Sequence, residues 1–360
     1  MLTTLDRFII KKYLSTFFFA VLIFSMIATV IDLSDKVDDF LEEQVSVRAI
    51  VFDYYVNYLP YINALLWMLY ALLSVIFFTS RMAYNSEIIA ILNSGTSFWR
   101  LARPYLIAAA VVAAINIAGN HYLVPLGNKA KVNFENTYIW KDNDKGETQK
   151  VHFFITPDTK VYVRSFQKRD SVALDFKVER FENNELVWLL DARRAEWEGA
   201  PDRWKVRDFT VREIDGMTER ITARDELDTT FNFTPEDFVN FVNAREAMTT
   251  PELVRYVDRQ RARGASNYKS YEVEIHRRTA EPFTIFILTI LGLAIAGRKT
   301  RGGVGLHLAM GAGLGALLVF LSKFSITLAN SGVFSAFIAV WTPNIIFGAL
   351  AVWLSGRAQQ

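Results

Sequence analysis

The side chains that most often carry chemistry in proteins are sparse and scattered in this sequence. Cysteine is absent, which excludes disulfides, thiolate metal sites and a cysteine nucleophile. The four histidines show no metal-ligand spacing; they are His121, His152, His276 and His307. The sequence contains no nucleophile elbow and no paired acid–base motif. We therefore expect no catalytic residue, no metal site and no cofactor on this chain.

The glycine-rich stretch at 311–318 is expected to pack helices together rather than to bind phosphate. It lacks the lysine of a GxxxxGKS/T phosphate loop and lies inside an apolar run. Small residues at helical spacing let membrane helices approach closely. The small residues here are Gly305, Ala309, Gly311, Gly313 and Gly315.

A short segment at 79–95, between two apolar runs, has an amphipathic pattern of its own. Its apolar residues fall on one face of a helix over about 84–95; they are Ile88, Ile89, Ile91 and Leu92. Ser86 or Asn85 can cap this helix, and Gly95 can end it. Glu87 suits the positive amino-terminal end. Such a helix rests on lipid headgroups or docks into an ATPase, and the residues alone leave both interpretations open.

Six apolar runs predict membrane-spanning helices, each of which needs about 20 residues. They lie at 13–31, 58–78, 101–124, 283–296, 304–328 and 334–354. The fourth run is the shortest, so polar residues from about Arg278 must contribute to its span. Hydrophobic residues make up 51% of the 360, yet the mean hydropathy is only +0.16. This contrast indicates a membrane protein with a large polar insert.

Basic residues predict the orientation, because cytoplasmic loops are enriched in Lys and Arg. Basic residues lie before the first run, between the second and third, between the fourth and fifth, and after the sixth. In chain order they are Arg7, Lys11 and Lys12; Arg81, Arg100 and Arg103; Arg298, Lys299 and Arg301; and Arg357. The segment after the first run is acidic instead. We therefore expect both termini in the cytoplasm and the insert outside it. The net charge of +2 gives no argument for nucleic-acid binding.

The insert, at 125–270, predicts an antiparallel β sandwich or barrel. Polar and apolar residues alternate at 160–166, 173–181, 185–190, 204–213 and 218–222. Asp215-Gly216 is a predicted hairpin turn. A connecting helix is expected over about 251–263, with Thr250 as its cap, Pro251 at its first position and Gly264 as its end. The predicted organisation is three spans (1–124), the β domain with its helix (125–270) and three further spans (271–360).

The segment NSEIIAILNSG at 85–95 resembles the coupling segment of the lipopolysaccharide-export permeases, the LptF/LptG family. Further similarities are LDRFI at 5–9, PLG at 125–127, FTPED at 233–237 and RGGVG at 301–305. Together with the order of three spans, β domain and three spans, the resemblance covers nearly the whole chain. The acidic stretch at 32–43 favours the LptG branch over the LptF branch.

The resemblance implies an α-helical membrane protein with six transmembrane helices and an extracytoplasmic, all-β, jellyroll-like domain between helices three and four. It implies a bacterial inner-membrane exporter in which two related six-span permeases form a heterodimer on a dimer of a cytoplasmic ABC ATPase. A single-span partner protein would extend a periplasmic bridge from the β domain. Lipopolysaccharide would leave the outer leaflet sideways, and ATP and Mg²⁺ would bind on the ATPase.

The resemblance also implies roles for particular residues. Glu87 matches the acid of the family's coupling helix. Ile88, Ile91 and Leu92 would form the apolar face that docks into the ATPase, or could equally face lipid, and Gly95 would complete the ATPase-coupling segment. Lys36 and Lys323 are candidates for contact with the phosphates of lipid A, although snorkelling or a salt bridge to Asp32 or Asp35 explains them as well. An acid, Asp32, stands where some members of the family place a lysine.

Apolar residues supply the remaining candidates. The aromatic and aliphatic side chains of the spans line an acyl-chain cavity or simply face lipid; they are Phe17, Phe18, Leu22, Phe320 and Phe324. In the β domain, an acyl groove and a closed core are equal alternatives for Val161, Val163, Phe176 and Val178.

Two other functions are compatible with a six-span protein. One is a membrane sensor whose β domain binds a ligand, although cytoplasmic segments of about 20 residues are too short for an output domain. The other is a secondary transporter, which needs buried acids along its spans; Glu281 is the main candidate.

Overall fold

The computed structural model describes residues 2–139, 146–147, 149–167, 170–183, 185–199, 203–233, 235, 240–241, 244–262, 268–298, 303–331 and 333–358. The chain divides into two compact units. The helical unit comprises Met1–Ile139, Arg245–Leu253 and Lys269–Gln360. The β unit comprises Trp140–Ala244 and Val254–Tyr268.

In the described part of the chain, six stretches of helix are long and apolar enough to cross a membrane, as the six apolar runs predict. They are Thr4–Glu42, Val47–Tyr84, Phe98–Tyr138, Lys269–Ala296, Gly303–Asn330 and Ala336–Arg357. The fourth begins well upstream of its apolar run, at Lys269, so the expected contribution of polar residues to this span is confirmed.

The individual helices are α1 (Thr4–Glu42), α2 (Val47–Ala49), α3 (Val56–Tyr84), α4 (Glu87–Asn93), α5 (Phe98–Ala118), α6 (Val124–Tyr138), α7 (Ala244–Ala247), α8 (Thr250–Ala262), α9 (Lys269–Ala296), α10 (Gly303–Asn330) and α11 (Ala336–Ala358). Two π-helical turns interrupt the second and third spans, at Ile50–Tyr55 and Gly119–Leu123. Turns of this kind widen a helix by one residue and are frequent at functional sites.

Several helices extend beyond the apolar runs that predict them. α1 has 39 residues, so it is about 58 Å long against a hydrocarbon core of about 30 Å. α6 is helical, although we expected β structure from residue 125 onwards. The extended ends of α1 and α6 pack against each other through apolar side chains: Phe40 and Phe134 are buried with ring centres 6.2 Å apart. The polar side of the α1 extension is exposed, as at Asp38. Hydropathy therefore marks the membrane-crossing part and misses the helix ends.

α9 is the most buried of the six long helices and α1 the least. One hydrophobic core joins α1, α3, α5 and α9, and a second joins α3, α9, α10 and α11. Glycines allow α3 to approach both α9 and α10 closely. A methyl group at Gly292 would lie 3.0 Å from Cγ1 of Val75, and one at Gly311 would overlap the end of the Ile76 side chain.

The predicted packing role holds for part of the small-residue stretch. Gly311 and Gly315 of α10 face α3, where an added methyl group would contact Ile76 and Leu69 respectively. Gly305 and Gly313 have nothing within 4 Å of such a methyl group. Among the residues that the structure describes, one side of the glycine-rich helix is therefore packed and the side with Gly305 and Gly313 is not.

The β unit contains a six-stranded antiparallel sheet, as the alternating pattern predicts. Its strands are β2 (Gln149–Thr156), β3 (Thr159–Gln167), β4 (Val172–Glu182), β5 (Glu185–Gly199), β6 (Arg203–Asp215) and β7 (Thr218–Thr230), and they neighbour one another in chain order. β1 (Gly146–Glu147) pairs separately with β8 (Asn240–Phe241). The predicted turn at Asp215-Gly216 is confirmed, since Asp215 pairs with Thr218 and Gly216 has φ of +59°.

The core of the β unit lies on one face of the sheet. Val161 pairs with Val178 across β3 and β4, and Val163 pairs with Phe176. Phe231 and Phe233, which follow β7, stack on each other and pack over this face. The indole of Trp204 donates a hydrogen bond to the main-chain oxygen of Phe233, 3.2 Å away, which fixes the covering segment.

The predicted connecting helix is α8, which begins at Thr250, one residue before the expected first helical residue, Pro251. Its cap is the preceding residue: the carboxylate of Glu252 accepts hydrogen bonds from the main chain and the hydroxyl of Thr249, at 2.7 and 2.8 Å. Thr250 instead contacts Nδ1 of His121, 2.9 Å away. The predicted end at Gly264 lies outside the described residues.

Candidate functional site

The predicted coupling segment forms α4, a two-turn helix between the second and third spans. Ser86 precedes it with a left-handed backbone, at φ of +63°. Glu87 is the first helical residue, and its carboxylate accepts a hydrogen bond from the Asn85 side chain at 3.2 Å. Gly95 follows with φ of +86°, and its N–H donates to the carbonyl of Leu92. This is the helix end that the glycine predicts.

The apolar side of α4 faces the chain's own helices. Ile88 is buried, while Ile91 and Leu92 are half-buried against the core that joins α1, α3, α5 and α9. The outward surface of α4 is formed by Glu87, Ile89, Ala90 and Asn93, all exposed. A partner that meets this helix therefore meets the carboxylate of Glu87 directly, with Ile88 holding the helix in place from behind.

An ion pair fixes the helix starts beside α4. Asp6, near the start of α1, is buried and accepts two hydrogen bonds from the guanidinium of Arg100, at 2.7 and 3.0 Å. Thr3 and Asp6 also form a reciprocal capping box at the start of α1. The first turn of α1 and the first turn of α5 are thereby held together at the end of the bundle that carries α4.

Lys36 lies in a charged and aromatic cluster at the opposite end of α1. Its ammonium group pairs with Asp32 and Glu135, each at 2.8 Å, and contacts the Tyr54 hydroxyl. The Tyr54 ring centre lies 4.6 Å from the same nitrogen. Lys36 is therefore held by acids of its own chain, so a lipid phosphate would have to compete with two carboxylates for it.

Lys323 shares an exposed surface of α10 with Phe320 and Phe324. The two rings are stacked with centres 6.3 Å apart, and the lysine lies between them in sequence. Of the candidates on α1, Phe18 and Leu22 are exposed, whereas Phe17 is buried against Trp67 and Tyr70. The structure thus brings one cation and two aromatic rings together on α10.

The four candidates for a β-domain groove are fully or almost fully buried. They are Val161, Val163, Phe176 and Val178. The ring of Phe176 lies 5.5 Å from that of Phe231 and 6.0 Å from that of Phe233. In this conformation the four side chains form a closed core, and access to them requires the segment with Phe231 and Phe233 to move.

Sequence reasoning missed a buried charge network on α9. Four charged residues lie at helical spacing along one side of the helix, with two acids flanking two arginines: Glu274, Arg277, Arg278 and Glu281. Arg277 pairs with Glu274 and Glu281, and Arg278 pairs with Glu274 at 2.9 Å. The spacing of i, i+3, i+4 and i+7 was visible in the sequence and is the signal that predicts a shared face.

The α9 network also binds distant parts of the helical unit. The side-chain amide of Asn120, in the second π-helical turn, donates to Glu281. The guanidinium of Arg278 donates to the main-chain carbonyls of Met248 and Arg245, at 2.9 and 3.2 Å. Arg278 thereby anchors the segment at 245–248, which follows the β strands in the chain.

No group of three or more histidine or acidic side chains has the arrangement of a metal site among the residues that the structure describes. The features brought together instead are six long apolar helices, an exposed acid on a short helix between two of them, and an inserted antiparallel sheet. This combination defines a polytopic membrane protein with an inserted β domain.

The family comparison agrees with this class. The sequence model for the lipopolysaccharide export system permeases LptF/LptG matches residues 7–357. The chain belongs to this family, and it is a permease component of lipopolysaccharide export in the inner membrane. The match does not distinguish LptG from LptF. A search of curated proteins returns no match.

Proposed function

We propose that this chain is the LptG-type permease of an ATP-driven exporter that extracts lipopolysaccharide from the outer leaflet of the inner membrane. It pairs with a related six-span permease and rests on a cytoplasmic dimer of ABC ATPase subunits, which bind ATP and Mg²⁺. Both termini and α4 lie in the cytoplasm, and the β domain lies in the periplasm. There it joins a single-span bridge protein through which lipopolysaccharide passes.

The observation that carries the ATPase proposal is the exposed carboxylate of Glu87 at the start of α4. Ile88 and the half-buried Ile91 and Leu92 bind α4 to the membrane helices, so the helix cannot move independently of them. A force applied at Glu87 therefore reaches α1, α3, α5 and α9. This is the arrangement expected of a coupling helix, and an interfacial helix resting on lipid would turn its apolar side to the membrane instead.

We further propose that Phe320, Lys323 and Phe324 contact lipopolysaccharide. They are exposed on one surface of α10, which suits acyl chains beside a phosphate. Lys36 contributes only if it leaves Asp32 and Glu135. A secondary transporter is not favoured, because Glu281 is already neutralised by Arg277.

Affinity purification from the native membrane tests the coupling role. We expect the wild-type chain to recover an ATPase and a second six-span permease, and Glu87→Arg to recover the permease with at least tenfold less ATPase. Glu42→Arg is the matched control, since Glu42 is an exposed acid at the other end of α1. Equal ATPase recovery with Glu87→Arg, or its loss with Glu42→Arg as well, would contradict the role of Glu87.

A further inference from the structure

A cleft opens in the helical unit between α4, the start of α5 and the ends of α9 and α11. We name it the α4 cleft. Its volume is about 690 Å³, which is within the usual range of ligand pockets. Part of its wall is hydrocarbon: the exposed Ile89 and the half-buried Leu92 line it, with the buried Phe98 beneath them. The α4 cleft therefore has the size and lining to receive an apolar chain.

Two arginines line the α4 cleft, Arg298 at the end of α9 and Arg357 at the end of α11. Both are exposed, and neither pairs with a carboxylate within the described part of the chain. Arg298 donates to the main-chain oxygen of Arg357, and the Arg357 guanidinium lies 4.1 Å from the centre of the Trp353 ring. Two positive charges without acids, beside a hydrocarbon wall, match a ligand that joins an anion to an apolar chain.

Two exposed tryptophans indicate the depth of the α4 cleft relative to the membrane surface. Trp353 lies one turn before Arg357, and Trp99 follows the cleft residue Phe98; both indoles are about half exposed. Exposed tryptophan is enriched where membrane helices meet the lipid headgroups. The apolar wall and the arginines therefore lie at the depth where a phospholipid has its acyl chains and its phosphate.

We propose that the α4 cleft binds an anionic phospholipid of the cytoplasmic leaflet, with its phosphate on Arg298 and Arg357 and an acyl chain against Ile89 and Leu92. Basic pockets between helices on the cytoplasmic side are a known mode of anionic-lipid recognition. The choice of leaflet rests on the orientation given under the proposed function. Because Ile89 and Leu92 belong to α4, the bound lipid braces the helix that meets the ATPase.

Lipid titration of the purified full-length chain in neutral detergent tests this site. Dioleoyl phosphatidylglycerol and dioleoyl phosphatidylcholine are added separately, and the complexes are counted by native mass spectrometry. We expect the anionic lipid to bind at least tenfold more tightly. The double variant Arg298→Gln/Arg357→Gln should lose this preference, and Arg298→Lys/Arg357→Lys should keep most of it. Arg103→Gln, an exposed arginine of α5, is the matched control and should keep all of it.

Equal affinity for the two lipids overturns the proposal, as does an unchanged preference in the glutamine double variant. Displacement of phosphatidylglycerol by lipopolysaccharide also overturns it, because the cleft would then belong to the substrate path. The lysine double variant keeps the test valid if the glutamine variant fails to fold. The lipid assay contains no ATPase, so a negative result in it does not contradict the proposed export function. Conversely, unaltered ATPase recovery with Glu87→Arg does not contradict the proposed lipid preference.

Discussion

At the scale of single residues, Arg278 is the side chain on which the α9 network most depends. It is almost fully buried and joins Glu274 to two main-chain carbonyls from the segment before α8. Removing one partner of a buried ion pair costs about 3 to 5 kcal/mol, because the other charge and its hydrogen-bonding groups stay buried. Glu274 keeps Arg277 as a partner, so we expect the lower end of this range.

We therefore predict that Arg278→Met lowers stability by about 3 kcal/mol. Thermal unfolding of the purified chain in detergent measures this loss. The stability of Arg278→Lys should be intermediate. An ammonium group restores the pair with Glu274, but it lacks the planar guanidinium that reaches both carbonyls. Arg103→Met, at an exposed position, should unfold at the same temperature as the wild type. An Arg278→Met variant as stable as the wild type would show that the network is not structural.

The sequence predicts the composition of these sites better than their contacts. Glu87 and Gly95 lie where the helical pattern predicts, at the two ends of α4. The same pattern shows that Ile88 belongs to an apolar face, but not that this face packs on the chain's own helices. The partners of Lys36 illustrate the limit: Asp32 is one turn away and was foreseen, whereas Glu135 comes from a distant helix. Pairings between distant elements are decided by packing.

At the scale of elements, close contact between α3 and α9 depends on Gly292. An added methyl group would lie 3.0 Å from Cγ1 and 3.3 Å from Cβ of Val75, and valine has little rotamer freedom in a helix. We predict that Gly292→Ala lowers stability by about 1 to 3 kcal/mol through overpacking. Thermal unfolding in detergent is again the measurement.

Gly313→Ala is the matched control for this prediction. Nothing lies within 4 Å of the added methyl group, so alanine's higher helix propensity should leave stability unchanged or raise it by up to about 1 kcal/mol. If both alanine variants unfold alike, contact at Gly292 is not what holds α3 and α9 together.

In the β unit, Phe233 holds the segment after β7 against the sheet. Its ring covers Phe176 and its main chain accepts the Trp204 hydrogen bond. Phe233→Ala should destabilise the β unit by about 3 to 5 kcal/mol, as large-to-small changes in a core do. Limited proteolysis should show faster cleavage within the strands, whereas Ile221→Ala, at an exposed position of β7, should digest like the wild type. Unchanged digestion of the Phe233 variant would indicate an open face.

The strands and helices differ in how well their extent can be predicted. Alternation correctly predicts β3, β4 and β6 nearly end to end. It misses β2, because the adjacent apolar residues Phe153, Phe154 and Ile155 interrupt the period of two. The π-helical turns have no signal in residue type, since they arise where a helix accommodates one extra residue against its neighbours.

At the scale of the whole molecule, the long helices differ widely in how much of their apolar surface the chain itself buries. α9 is enclosed by its neighbours, whereas most of the apolar surface of α1 and one side of α10 are exposed. Lipid can cover these surfaces, and so can a second permease. The proposed heterodimer places such a permease and the lipopolysaccharide acyl chains there. The order of spans and the inserted β domain were predictable, because long apolar runs and alternating strands are strong signals, whereas the partners follow only from family membership.

Export by reconstituted complexes is the most direct test of the central proposal. The chain, purified with the proteins it recovers, is placed in liposomes loaded with lipopolysaccharide, and transfer to an added periplasmic acceptor is followed over time. We predict transfer that requires hydrolysable ATP, ignores imposed ion gradients and falls at least tenfold with Glu87→Arg. Transfer without ATP, or transfer driven by an ion gradient, would contradict the account.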